Sequence, residues 1–136
     1  MNAVDTNVLA RFFINDADDP EAARQRPAAI TALSGTVFVS ISVILEFEWV
    51  MRGFYGLSRK DIQHVFESLC DLENVQIEDR SIMLAALGAY KQGLDFADAL
   101  HLARANFCDA FLSFDQRLKK RAKAAGLSPA VDTPKA

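Results

Sequence analysis

Residues 37–53, VFVSISVILEFEWVMRG, pass from a strand pattern into a helix pattern without an intervening loop. Residues 37–41 are dense in β-branched and aromatic side chains, which is typical of a parallel strand buried on both faces. Ser42 belongs to a residue type that caps helices, and the apolar residues after it predict a helix that ends at Gly53. A strand covered on both faces needs helices on both sides of its sheet, so this stretch favours an α/β fold.

The rest of the chain alternates between the same two patterns. The other predicted strands cover 1–4, 75–77 and 110–113, the last of them buried. The other predicted helices cover 6–14, 21–33, 58–70, 80–92, 96–107 and 116–125. Residues 127–136 are expected to add an edge strand and a loose tail. The alternation predicts a parallel sheet covered by helices.

Composition bounds the class of protein. The 136 residues are the usual size of one domain, so we expect a single domain over 1–136. Apolar residues make up 51% of the chain, which excludes disorder for most of it. A net charge of −3 excludes a broad basic surface of the kind that coats nucleic acid.

Location follows from the cysteines and from the lack of targeting signals. Cys70 and Cys108 are far apart and form no CxxC motif, so we expect reduced, buried thiols in a cytoplasmic protein. Because Asp5 follows Met1 so closely, without a basic start or an apolar segment, we expect no signal peptide. The uncharged stretch 27–45 is long enough to span a bilayer, but its polar residues and a Ser34-Gly35 turn signal predict no membrane span.

Four carboxylates follow strands or lie at the start of helices. They are Asp5, Glu46, Asp98 and Asp115. Because the carboxyl ends of parallel strands share one edge of a sheet, we expect the four to converge there. Clustered like charges repel, and such a cluster usually needs a cation. Carboxylate oxygens without nearby cysteine or paired histidine suit Mg²⁺ or Mn²⁺, which fits hydrolysis of a phosphodiester bond.

Three of these acids also have a purely structural interpretation. Asp5 and Asp115 fit helix N-caps, and Asp98 fits the third position of a helix that Asp95 caps. Glu46 resists this interpretation because it lies in one of the most apolar parts of the chain, where an unpaired carboxylate is costly. Glu48 competes with Glu46, but an offset of two residues turns it to another helix face.

Four motifs, taken in order, resemble the acidic motifs of PIN domains, and in particular those of VapC-type toxins of bacterial toxin–antitoxin pairs. They are Val4-Asp5-Thr6-Asn7-Val8-Leu9, Ser42-Val43-Ile44-Leu45-Glu46, Phe96-Ala97-Asp98-Ala99-Leu100-His101 and Ser113-Phe114-Asp115. The resemblance covers nearly the whole chain at the usual length of the family.

The resemblance implies a three-layer α/β/α fold and a Mg²⁺- or Mn²⁺-dependent endoribonuclease. Asp5, Glu46, Asp98 and Asp115 become catalytic metal-site acids, and Asn7 and Ser113 become hydrogen-bonding residues that support them. The resemblance also implies a homodimer and a cognate antitoxin protein.

Other residues have two interpretations that the sequence leaves open. His101 lies three residues after Asp98 and is either a surface histidine or a ligand or proton shuttle. A basic run over 117–123 is either a solvated helix end or a contact for RNA phosphates, and Arg11 and Arg52 are isolated candidates for the same contact. The aromatic residues of 12–13 and 47–55 belong either to the core or to a partner surface.

Three other functions remain as alternatives. A receiver-type phosphoacceptor domain needs an acidic pair after the first strand and a late lysine, whereas Thr6-Asn7 and Asp115 stand at those places. A phosphatase with an aspartate nucleophile needs a DxD start, which Asp5-Thr6-Asn7 lacks. A PIN-like binding module without catalysis disagrees with the presence of all four acids.

Overall fold

Seven helices and five short strands alternate along the chain in the computed structural model, which describes all 136 residues. Two units, Met1–Glu78 and Asp79–Ala136, each contain a parallel sheet of their own. The predicted α/β class with parallel strands is confirmed, and the elements are consistent with a three-layer α/β/α fold.

The first unit holds three strands and four helices. The strands are β1 (Asn2–Ala3), β2 (Val37–Val39) and β3 (Val75–Ile77). The helices are α1 (Thr6–Phe13), α2 (Pro20–Leu33), α3 (Ile41–Gly53) and α4 (Arg59–Asp71). The strand order is β1-β2-β3 with every pair parallel, and Val37 lies opposite both Asn2 and Val75. The strand predicted from the opening stretch is therefore the centre of this sheet.

The junction between β2 and α3 differs from the prediction. Ser40, not Ser42, caps α3, and its Oγ accepts a hydrogen bond from the Val43 N–H at 3.2 Å. A cap must reach the third N–H of the helix from an extended backbone, and only Ser40 has both properties. Ser42 is already helical, and its hydroxyl lies 3.0 Å from that of Ser40. The strand therefore ends at Val39, two residues earlier than predicted.

The core of the first unit is built around Phe47. This side chain is fully buried, and its ring lies 6.1 Å from the rings of both Phe13 and Phe66. It therefore joins α1 and α4 to α3. In the central strand β2, Val37 and Val39 are also buried. Burial of large apolar side chains of this kind provides most of the stability of a small α/β unit.

The second unit holds three helices and two strands. They are α5 (Arg80–Lys91), α6 (Phe96–Arg104), β4 (Ala110–Leu112), α7 (Gln116–Ala124) and β5 (Ala130–Asp132). Strands β4 and β5 pair in parallel, so the edge strand predicted near the end of the chain is confirmed. Helix α6 ends at Arg104, three residues before the predicted end.

Two predictions of burial in this unit are wrong. Strand β4 was expected to be buried, but Leu112 is 62% exposed. Cys108 is an exposed free thiol, whereas Cys70 in the first unit is buried as expected. An apolar run predicts a strand from its own residues, but which of its faces is covered depends on elements distant in the sequence.

None of the seven helices combines the length and the apolar character that a membrane crossing needs. The uncharged stretch 27–45 divides, as predicted, into the end of α2, a turn, strand β2 and the start of α3.

Candidate active site

Asp5 lies between β1 and α1 and caps the helix. Its backbone is extended, and its Oδ1 accepts a hydrogen bond from the Val8 N–H at 3.1 Å. The side chain is exposed to solvent. The structural interpretation of Asp5 as an N-cap is thus confirmed, and the same bond fixes where its carboxylate lies.

Glu46 lies on the first half of α3 and is exposed, not surrounded by apolar side chains. The expectation of a costly environment is wrong because Ile44 and Phe47 turn inward on the helix while Glu46 turns outward. Its Oε1 accepts a hydrogen bond from the Thr6 hydroxyl, and Thr6 itself is buried. Since Thr6 directly follows Asp5, this bond brings the acidic start of α1 and the acidic face of α3 together.

Glu48 is the buried acid of α3, and it lies on a different helix face from Glu46, as the offset of two residues predicted. Its side chain is only 3% exposed and forms an ion pair with Arg52, with 3.0 Å between Nε and Oε2. In a second hydrogen bond, Arg52 Nη2 donates to Glu48 Oε1 at 3.4 Å. The structure therefore gives Glu48 and Arg52 a structural role within α3, and a phosphate contact by Arg52 stays a prediction.

Arg11 is also held by neighbours in the first unit. Its Nε donates to Gln25 Oε1, and its terminal nitrogen donates to the Tyr55 hydroxyl, both at 2.9 Å. A guanidinium tied to two partners is less free to bind a phosphate, so the structure favours a packing role for Arg11.

The acids of the second unit lie at the starts of two helices. Asp95 caps α6 and accepts a hydrogen bond from the Asp98 N–H at 3.3 Å. Asp115 caps α7, and its Oδ1 accepts from the N–H groups of Arg117 and Leu118 at 3.0 and 3.1 Å. Ser113 supports Asp115 directly, because its Oγ accepts from the Asp115 N–H at 3.0 Å.

These acids share a pocket of about 270 Å³. It is lined by Leu94, Asp95, Asp98, Asp115, Arg117, Leu118 and Arg121. The pKa of Asp98 lies above its usual range, first because partial burial disfavours the charged carboxylate and then because Asp95 and Asp115 repel it. His101, three residues further along α6, offsets part of this effect by favouring the charged form. A cation bound in this pocket would offset the repulsion among the carboxylates.

The donor atoms suit a hard divalent cation. Asp95 and Asp115 each cap a helix through one carboxylate oxygen, which leaves the other oxygen available to a ligand. Carboxylate oxygens of this kind match Mg²⁺ or Mn²⁺. Within either unit, however, no group of three or more His, Cys, Asp or Glu side chains is arranged to hold a metal ion by itself. The convergence of Asp5, Glu46, Asp98 and Asp115 joins residues of both units and stays a prediction.

Three further residues, Asn7, His101 and Thr6, lie near the candidate acids in sequence. Asn7 is exposed in the first turn of α1, and its supporting role stays a prediction. His101 is exposed on α6, on the same side as Asp98. Thr6 was missed, because a threonine beside the first acid gives no signal that its hydroxyl reaches an acid 40 residues away.

Comparison with known proteins gives one match. The family model described as PIN domain matches residues 3–124, so a single family pattern runs through both units. No curated protein and no solved structure matches the chain significantly. PIN domains are in general RNA-cleaving nucleases that typically use divalent metal ions.

Proposed function

The chain belongs to the PIN domain family, and from this membership we propose that it is an endoribonuclease that hydrolyses RNA phosphodiester bonds with Mg²⁺ or Mn²⁺. The observation that carries the proposal is the pocket in which Asp98 and Asp115 lie together, with the pKa of Asp98 raised first by partial burial and then by its acidic neighbours. Carboxylates held close together at a cost to the folded protein favour a site built for a cation.

In this proposal Asp5, Glu46, Asp98 and Asp115 hold the divalent cation. When bound, the cation would activate a water molecule as nucleophile and stabilise the charge that develops on the phosphate. The chain's own hydrogen bonds orient the ligands: helix capping fixes Asp5 and Asp115, and the Thr6 hydroxyl fixes Glu46. Ser113 positions the backbone of Asp115, and such outer partners usually matter nearly as much as the ligands.

The biological role we propose is that of a VapC-type toxin, neutralised by a cognate antitoxin and acting as a homodimer in the cytoplasm, where its RNA substrate is. The ordered acidic motifs support the toxin assignment. Trp49 and Phe54, at the end of α3, are 61% and 72% exposed, and exposed aromatic side chains of this size favour a protein partner. The net charge of −3 agrees with brief contact with RNA at a cation-loaded pocket rather than with coating of the nucleic acid.

The experiment compares two capping aspartates. Asp5→Asn changes a proposed ligand, whereas Asp19→Asn changes a matched cap, since Asp19 accepts the N–H groups of Glu21 and Ala22 at the start of α2. We expect the wild-type protein and Asp19→Asn to cleave RNA in Mg²⁺ or Mn²⁺, EDTA to stop cleavage, and Asp5→Asn to be inactive. When expressed in bacteria, the wild-type protein and Asp19→Asn should arrest growth, and Asp5→Asn should not.

Asp5→Asn that cleaves RNA at the full rate would overturn the proposed site. A PIN-like binding module without catalysis predicts a different result, namely no cleavage by the wild-type protein in either metal. The family match removes the support for the receiver and phosphatase alternatives.

A further inference from the structure

Two arginines line the same pocket as Asp98 and Asp115. They are Arg117 and Arg121, one helical turn apart on α7. The other cations of the basic run lie elsewhere: Lys119 and Lys123 line a separate cavity beside β5. The basic run over 117–123 therefore faces two different places: Arg117 and Arg121 line the acidic pocket, and Lys119 and Lys123 do not.

Arg121 is already engaged within the protein. Its terminal nitrogen donates to the Gly93 carbonyl at 2.9 Å, which ties α7 to the turn between α5 and α6. Gly93 has a φ of 103°, a conformation that favours glycine, so the turn that Arg121 contacts depends on glycine at this position. We assign Arg121 a structural part in the wall of the pocket.

Arg117 is different, because its guanidinium has no hydrogen-bond or ion-pair partner, although three carboxylates line the same pocket. Only its backbone N–H is used, by the Asp115 cap. The side chain is exposed and stands in the first turn of α7. A guanidinium presents a planar fork of donors that matches two phosphate oxygens, and its charge does not depend on pH in the working range.

We propose that Arg117 binds a phosphate group of the RNA beside the bond that is cleaved. The proposal rests on the proposed nuclease function and adds the residue that positions its substrate. The carboxylates of the pocket would hold the cation, and Arg117 would compensate the charge of a phosphate that the cation does not contact. The basic run thus contributes one specific contact rather than a general attraction for nucleic acid.

The test measures RNA cleavage by the full chain in Mn²⁺ for Arg117→Gln, Arg117→Lys and the control Lys120→Gln. Lys120 is an exposed cation of the same helix outside the pocket, so its variant has the same net charge as Arg117→Gln. We expect Arg117→Gln to raise KM about tenfold or more with kcat within about twofold, because a charge-assisted contact is lost. Arg117→Lys keeps the charge but loses the planar fork, so we expect its KM to lie between those of the wild type and Arg117→Gln, whereas Lys120→Gln should match the wild type.

Salt dependence gives a second readout that a structural role would not change. Loss of one phosphate contact on a single strand should lower the slope of log KM against log salt concentration by about 0.7. Melting temperatures should be equal for all four proteins, since the Arg117 side chain has no partner within the fold.

Each outcome decides the question. An unchanged KM and salt slope in Arg117→Gln, with an active wild-type protein, would overturn the role of Arg117 and leave the nuclease function standing. A fall in kcat with unchanged KM would also overturn it. Failure of the wild-type protein to cleave RNA would instead overturn the nuclease function, and the role of Arg117 with it.

Discussion

Glu46 and Glu48 lie two residues apart on α3, and they should separate activity from stability. Glu46 is an exposed proposed ligand, and Glu48 is buried in an ion pair with Arg52. We expect Glu46→Gln to abolish cleavage with little effect on folding. We expect Glu48→Gln to destabilise the protein and to leave the activity of the folded fraction intact.

The magnitudes follow from burial and hydrogen bonding. Glu48→Gln weakens two charge-assisted hydrogen bonds at a site that is 3% exposed, but Arg52 is half exposed and can turn to water. Hydrogen bonds to charged groups contribute about 1.5–3 kcal/mol, so we expect a loss in that range. For 136 residues the unfolding entropy is about 0.29 kcal/mol per degree, which converts this loss to a fall in Tm of about 5–10 °C.

Glu46→Gln should change Tm by less than about 2 °C, because the glutamine oxygen can still accept from Thr6 and solvent reaches the rest. Loss of a metal ligand should lower kcat/KM at least about 100-fold, which corresponds to about 2.7 kcal/mol of transition-state stabilisation.

The assay is thermal unfolding followed by circular dichroism, together with cleavage of a fluorescent RNA in Mn²⁺ below the melting transition. The double variant should combine the loss of activity of Glu46→Gln with the fall in Tm of Glu48→Gln, since the two side chains have different partners. If Glu48→Gln keeps its Tm and loses activity while Glu46→Gln cleaves normally, the assignment of the two acids is reversed and the reasoning from exposure fails.

Two further predictions concern the pocket of the second unit. Because the pKa of Asp98 is raised in the folded protein, its ionised form destabilises the fold at neutral pH, so in EDTA at pH 7 Asp98→Asn should melt above the wild type. This advantage should disappear as the pH falls through the raised pKa towards the ordinary value of 3.8, and a wild type that is the more stable at pH 7 would contradict the cause given. Ser113→Ala removes the acceptor of the Asp115 N–H and should lower kcat/KM about tenfold, with Tm changed by less than about 3 °C. Ser34→Ala, at the end of α2, is its control, and equal activity of the two variants would refute a supporting role for Ser113.

Helix boundaries could be predicted where the capping side chain and the N–H group that it binds lie close together in the sequence. Ser58, Asp95 and Asp115 each bond an N–H two or three residues further along the chain, so the sequence nearby contains the whole interaction. Ser40 and Ser42 show the limit of this reasoning, because both have the right side chain and only the end of the strand decides between them.

Positions of the candidate acids could be predicted better than their surroundings. Strand ends and helix starts correctly located Asp5 and Asp115, because the rule depends only on the order of elements. The environment of Glu46 could not be predicted, since its neighbours in sequence point to the other side of the helix. The bond from Thr6 and the pocket around Arg117 join distant segments, and no local pattern encodes them.

The capping role of the aspartates has a consequence for how this family loses function in evolution. Asp5, Asp95 and Asp115 each satisfy backbone N–H groups, so a lineage that no longer cleaved RNA would still be selected to keep a capping residue there. Glu46 and Asp98 cap no helix, so a capping role would not preserve either residue once cleavage is lost. Retention of the three capping aspartates in a relative is therefore weak evidence that it cleaves RNA. Substitution of Glu46 or Asp98 is the better indication that a relative has lost this activity.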